Sequence, residues 1–184
     1  ANVILDTQVP LNLLRYFSDP EIGCVCGHLK YTNADDSVTA SSGSLYWRLD
    51  EWTKRLESAT GSAMGADGSL FAIRRELHKP APVDMFDDIV VSMTILCEGK
   101  RLVQADDVIA LEESVPNQRE EFQRKIRIGC QAYNAHLLLW PSIRRLDWLN
   151  VYKYVSHKWL RWLAIYFFAA AAILLEAGLV VAGQ

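Results

Sequence analysis

The sequence carries no excess of basic residues. Its 19 lysines and arginines face 22 aspartates and glutamates over 184 residues, for a formal net charge of −3. That balance supplies no positive field for nucleic acid, and no nucleic-acid partner is expected. Cysteine is scarce too, with four residues at spacings that imply no disulfide framework and suit a reducing compartment. Cys24, Cys26 and His28 alternate along a strand-like segment and share one face. Residues two apart on a strand stand roughly 6.6 Å apart, so three successive side chains cannot converge on one zinc ion. Cys97 and Cys130 read as core residues of helices. Repeats, low-complexity tracts and a signal peptide are all missing, and the chain reads as opening within one domain.

Long apolar runs are confined to one place. Residues 159–181, WLRWLAIYFFAAAAILLEAGLVV, hold only Arg161 and Glu176 as charges. At about 1.5 Å per residue this run reaches roughly 34 Å, beyond the roughly 30 Å hydrocarbon core of a bilayer. Lys153, His157, Lys158 and Arg161 gather on its N-terminal side. Trp140, Trp148, Tyr152, Tyr154, Trp159 and Trp162 add rings suited to a membrane interface. Residues 159–182 are therefore expected to form a transmembrane helix entered from the cytoplasm, preceded by an amphipathic interfacial segment over 140–158 in contact with membrane lipid. The bland alternative is a buried hairpin helix. Glu176 is costly in mid-membrane and is expected near the far interface or against other protein.

Upstream, strands and helices alternate. Thr7-Gln8-Val9-Pro10 followed by LNLLRYF predicts a capped helix that stops at Ser18-Asp19-Pro20. Residues 22–31 read as a strand and 33–44 as a polar loop. Leu45, Leu49, Trp52 and Leu56 then recur at the spacing of an apolar helix face. A turn-rich stretch over 61–68 precedes a strand over 69–74. A helix over 87–98 stops at Gly99. Two short strands, 101–104 and 108–111, flank Ala105-Asp106-Asp107. A long helix over 117–139 is expected to break at Pro141. The pattern predicts an α/β domain over 1–139.

Four segments in order carry the chemistry: GSAMGADGSLFAIRREL over 61–77, Asp87-Asp88 at a helix start, EEFQRKIRIG over 120–129, and SHKWLRWL over 156–163. Each has a plain reading. Gly65-Ala66-Asp67-Gly68 can be an ordinary turn, and acids at a helix start cap it whatever the function. Glu120–Arg124 and Glu121–Lys125 can be solvated ion pairs one turn apart. Together, and followed by an apolar helix, the segments resemble the family-2 glycosyltransferases of the GT-A fold, particularly bacterial polysaccharide synthases akin to cellulose and hyaluronan synthases.

The resemblance spans nearly the whole chain and implies a C-terminal part of a GT-A domain, inactive by itself. It implies hexosyl transfer, with inversion, from a nucleotide-diphosphate sugar to a hydroxyl acceptor on a saccharide or lipid, in cell-surface polysaccharide synthesis at the plasma membrane. Asp88 matches the family's base, with Asp87 beside it. Gly65, Asp67 and Gly68 fall where relatives line the sugar and acceptor pocket. Asn2 takes the second acidic position of the family's aspartate motif, which holds a divalent cation, Mg2+ or Mn2+. Gln123, Arg124, Lys125 and Arg127 fall on the helix that grips the diphosphate in processive relatives. The tryptophan of that motif is replaced, with Ile126 in its place, which speaks against a processive polymerase. Two other readings stay open: a non-processive transferase with a lipid acceptor, and a non-catalytic membrane adaptor that keeps the fold.

Overall fold

The computed structural model describes residues 3–31, 38–83, 85–112 and 118–183. Strand β1 (Val3–Leu5) leads into helix α1 (Val9–Tyr16), whose Pro10 lies in the first turn, where its missing N–H costs nothing. Strand β2 (Ile22–Tyr31) follows, then helix α2 (Val38–Ala59), the short strand β3 (Phe71–Ile73), helix α3 (Asp87–Cys97) and strand β4 (Arg101–Glu112). The sheet order is β1-β4-β2-β3, with β2 and β4 parallel and the outer pairs antiparallel. β2 is buried from Ile22 to His28 because both faces are covered. Cys24 and Cys26 meet α3 on one side through Met93 and Ile95, while Val25 meets Val9 of α1 on the other. The Cys24 thiol is pushed up by its hydrogen bond with Cys26 and by burial.

Four expectations change here. The loop expected over 33–44 is helical from Val38, since a helix once nucleated extends at one hydrogen bond per residue; residues 33–37 lie outside the described ones. The two short strands after α3 are one strand, β4. Its register against β2 jumps from Cys26–Gln104 to His28–Ile109, so the excess residues bulge outward. Asp107 at that bulge accepts hydrogen bonds from Tyr16 Oη and, through its carbonyl, from Asn12 Nδ2, both at 2.7 Å. Burial and the Asp107 hydrogen bond push the Tyr16 hydroxyl up to about 12. Helix α4 (Gln118–Ile143) runs through Pro141 instead of stopping before it, with Pro141 two residues before the helix end. Cys130 is exposed on α4 rather than buried in the core.

Beyond α4 come helix α5 (Trp148–Tyr154), a π-helical turn (Val155–Trp159) and helix α6 (Leu160–Ala182). The rings expected at an interface divide. Trp148 and Tyr152 are exposed. Tyr154 is fully buried, and Trp140, Trp159 and Trp162 pack against the same core. His136 of α4 sits among three of them, 5.4 Å from the Trp140 and Trp159 rings, with Tyr154 Oη 3.1 Å from its Nδ1. Burial lowers the His136 pKa and raises that of Tyr154. Taken singly, no described helix is long and apolar enough to cross a membrane. Trp148–Ala164 and Tyr166–Val180, bent by 49° where they meet, reach that length and composition as a pair.

Candidate active site

The loop after α2 is fixed from both sides. Ala63 N donates to Leu102 O of β4 at 2.9 Å, and Met64 N donates to Glu57 Oε2 of α2 at 3.0 Å. Gly65 follows with φ +91°, in the region that favours glycine, and a Cβ there would stand 3.0 Å from Ile89 Cδ1 of α3. Ala66 N donates to Ser92 Oγ at 3.0 Å, and that hydroxyl donates to Asp88 O at 2.5 Å, so one serine ties the loop to the start of α3. Asp67 accepts from Lys54 Nζ at 2.5 Å. Gly68 lies against the Asp88 carboxylate, where a Cβ would come 2.9 Å from Oδ2.

Asp88 is half-buried at the second position of α3, with Oδ1 accepting from Ile89 N at 2.7 Å. Its pKa is raised, first by burial and then by the Asp87 and Asp67 charges. The Ile89 N–H and the Lys158 ammonium oppose the rise. Asp87 points elsewhere. It is exposed and lines a cavity of about 560 Å3 with Phe71, Ile73, Met85 and Val91. Adjacent helical side chains differ by about 100° in direction, so the two acids face different surroundings.

Behind the loop lies a buried charge network that sequence reasoning missed. Asp50, Lys54 and Glu57 fall on the inner face of α2 and are 6%, 2% and 4% exposed. Lys54 Nζ bridges Asp50 Oδ2 at 2.6 Å and Asp67. Burial disfavours the Lys54 ammonium, but the two carboxylates outweigh it and hold the group above its ordinary value. The π turn places His157 between Glu57 Oε1, 2.7 Å from Nδ1, and Asp50 Oδ1, 3.1 Å from Nε2. Arg161 also binds Asp50. Burial would raise the Asp50 pKa, yet His157, Lys54, Lys158 and Arg161 together hold it well below the usual carboxylate range. Lys158 is 4% exposed, and burial beside Lys54 and Arg161 lowers its pKa to about 8. Lys153 Nζ donates to Glu57 O at 3.0 Å and Thr60 O at 3.1 Å, satisfying carbonyls at the end of α2. The four bases read from sequence as juxtamembrane charge are thus turned into the fold.

The structure brings Gly65, Asp67, Gly68 and Asp88 together, with Asp87 at their edge. Gln123 and Arg127 are exposed on α4, and the side chains of Arg124 and Lys125 lie outside what is described. Asn2 lies outside the described residues, and among those described no three His, Cys, Asp or Glu side chains gather to hold a metal ion.

Comparison with solved structures places the fold beside a known one. Aligned over its full length, the chain matches the mannosyltransferase PcManGT from Pyrobaculum calidifontis, in complex with GDP-Man and Mn2+, with a TM-score of 0.57 at 18% identity. The chain shares the fold of that mannosyltransferase. At that identity the likeness concerns the fold alone, and the chain spans 56% of the length of the mannosyltransferase. No protein-family model matches the chain, and no curated protein matches its sequence.

Proposed function

We propose that the chain is the base-bearing part of a family-2 type, inverting glycosyltransferase, using a nucleotide-diphosphate sugar and a hydroxyl acceptor. The observation that carries this reading is the Asp88 carboxylate, half-buried under Gly68 with a raised pKa. In this reading the acceptor hydroxyl sits against Asp88 Oδ2. As its oxygen attacks the anomeric carbon, its proton passes to Asp88, and the bond to the leaving diphosphate breaks with its electron pair on the diphosphate oxygen. A carboxylate whose pKa lies above the ordinary range takes that proton more readily near neutral pH. Gly68 gives the Asp88 carboxylate the space that a Cβ would take, while Ser92 ties the loop to α3 and Lys54 ties it to α2. A divalent cation, bound with the donor as Mn2+ accompanies GDP-Man in the mannosyltransferase, would offset diphosphate charge. Among the described residues no three His, Cys, Asp or Glu side chains gather to hold it. Gln123, Arg124, Lys125 and Arg127 belong to this reading as donor-side groups.

The wider setting is part of the same proposal: hexosyl transfer in cell-surface polysaccharide synthesis, on the cytoplasmic face of the plasma membrane, with α6 as anchor. Exposed Phe167, Phe168, Ile173, Leu174 and Leu175 along α6 support the anchor. The test is transfer by the full-length protein carrying Asp88→Asn, with GDP-mannose and Mn2+ as the first of a nucleotide-sugar panel. General-base assistance is worth about 10²–10⁴ in rate, and a fully active variant would place the base elsewhere.

A further inference from the structure

We infer that the outward face of α2 rests on the bilayer surface beside α6. The inference builds on the reading of α6 as an anchor. Over residues 48–59, α2 is turned inside out relative to a helix on a water-facing surface. Its inner face holds the Asp50, Lys54 and Glu57 network, while Leu49, Trp52 and Leu56 are 56%, 59% and 46% exposed. These three recur at spacings of three and four residues and so form one stripe.

The stripe continues into α6. Leu49 and Thr53 line a groove of about 530 Å3 together with Ser156, Leu160 and Arg161, and Leu160 is itself 44% exposed. Charge points the same way. The acids of this half of α2 all face protein groups: Asp50 meets Lys54, Glu51 lies 2.6 Å from His28, and Glu57 meets His157 and Met64 N. The charged groups left at the rim are Arg48, which is exposed, and Arg55, which also pairs with Asp106. An apolar stripe with tryptophan and leucine between arginines fits an anionic lipid surface. Because Lys54 on the opposite face binds Asp67, the loop beside Asp88 then lies about one helix diameter, 10–12 Å, from lipid.

Nitroxide labels test this in the full chain with Cys97→Ser and Cys130→Ser, reconstituted into vesicles of phosphatidylcholine and phosphatidylglycerol. Labels on Trp52→Cys and Leu56→Cys, in separate chains, should collide more with oxygen than with a water-soluble nickel chelate. A label on Lys79→Cys, far from the stripe, should show the reverse order, and one on Phe168→Cys reports the anchor. If 168 favours oxygen while 52 and 56 favour nickel as 79 does, the anchor stands and the inference about α2 is overturned. Shielding of 52 and 56 from both reagents also overturns it, because protein then covers the stripe. Nickel preference at 168 overturns the anchor and removes the ground for this inference.

Discussion

At Asp88, one substitution separates chemistry from stability. Its folded pKa lies above the unfolded one, so the stabilising contribution is full below the unfolded value and is lost as pH rises through the folded value. Asp88→Asn should therefore melt at or above the wild-type temperature at pH 7, with the difference closing in acid, while transfer falls by about 10²–10⁴. Melting curves at two pH values beside turnover check both halves. A cap-only role forecasts unchanged turnover, since asparagine caps a helix about as well as aspartate. Gly68→Ala should reduce turnover with little change in melting, because the atom its Cβ meets is the movable end of Asp88. Lys158 runs the other way in pH. Its folded pKa, about 8, lies below the unfolded value of 10.5, so stability rises between those two pH values. A shift of that size corresponds to about 3 kcal/mol. Lys158→Met should raise the melting temperature at pH 7 and lose that advantage above pH 10.5. Asp88 was legible in the sequence as a helix-start acid in a recognisable order of segments. Lys54 and His157 were not, because nothing in their spacing separates a charge that faces carboxylates from one that faces water.

Among the elements, α2 shows where pattern reading fails. The spacing of Leu49, Trp52 and Leu56 correctly indicates a helix, but the apolar stripe points outward and the polar one inward. A helical period gives the two faces and not which of them is buried. That choice depends on partners distant in sequence: Asp67 across the loop, and His157 and Arg161 about a hundred residues on. Strands were read more faithfully. β2 matches its expected limits, because its β-prone run starts after Pro20 and ends at a polar stretch. β4 was read as two pieces, because a bulge with exposed Asp106 and Asp107 looks like a loop in one dimension. Asp50→Ala should be the costliest single change in this network. It leaves the buried Lys54 ammonium and the half-buried Arg161 guanidinium facing a missing carboxylate, and breaking such a pair typically costs about 3–5 kcal/mol. Chemical unfolding of the variant checks this. A loss under about 1 kcal/mol would mean the pairs are no stronger than surface ones.

For the molecule as a whole, the candidate site and the proposed anchor share one piece of backbone. The proposed orientation can be checked at Cys130, which is exposed on α4. An impermeant thiol reagent should label it only after cells are opened, and labelling of intact cells would reverse the orientation. The π turn at 155–159 has a consequence for insertions and deletions. A π turn amounts to one extra residue wound into an α-helix, and here that residue sets the phase between α5 and everything after it. Deleting Val155 would turn the rest of the chain by about 100° about the helix axis. Lys153 would keep its carbonyls at the end of α2, while His157, Lys158 and Arg161 would swing off the carboxylates as a group. A one-residue change in length at this joint is therefore a far larger perturbation than any single substitution within it.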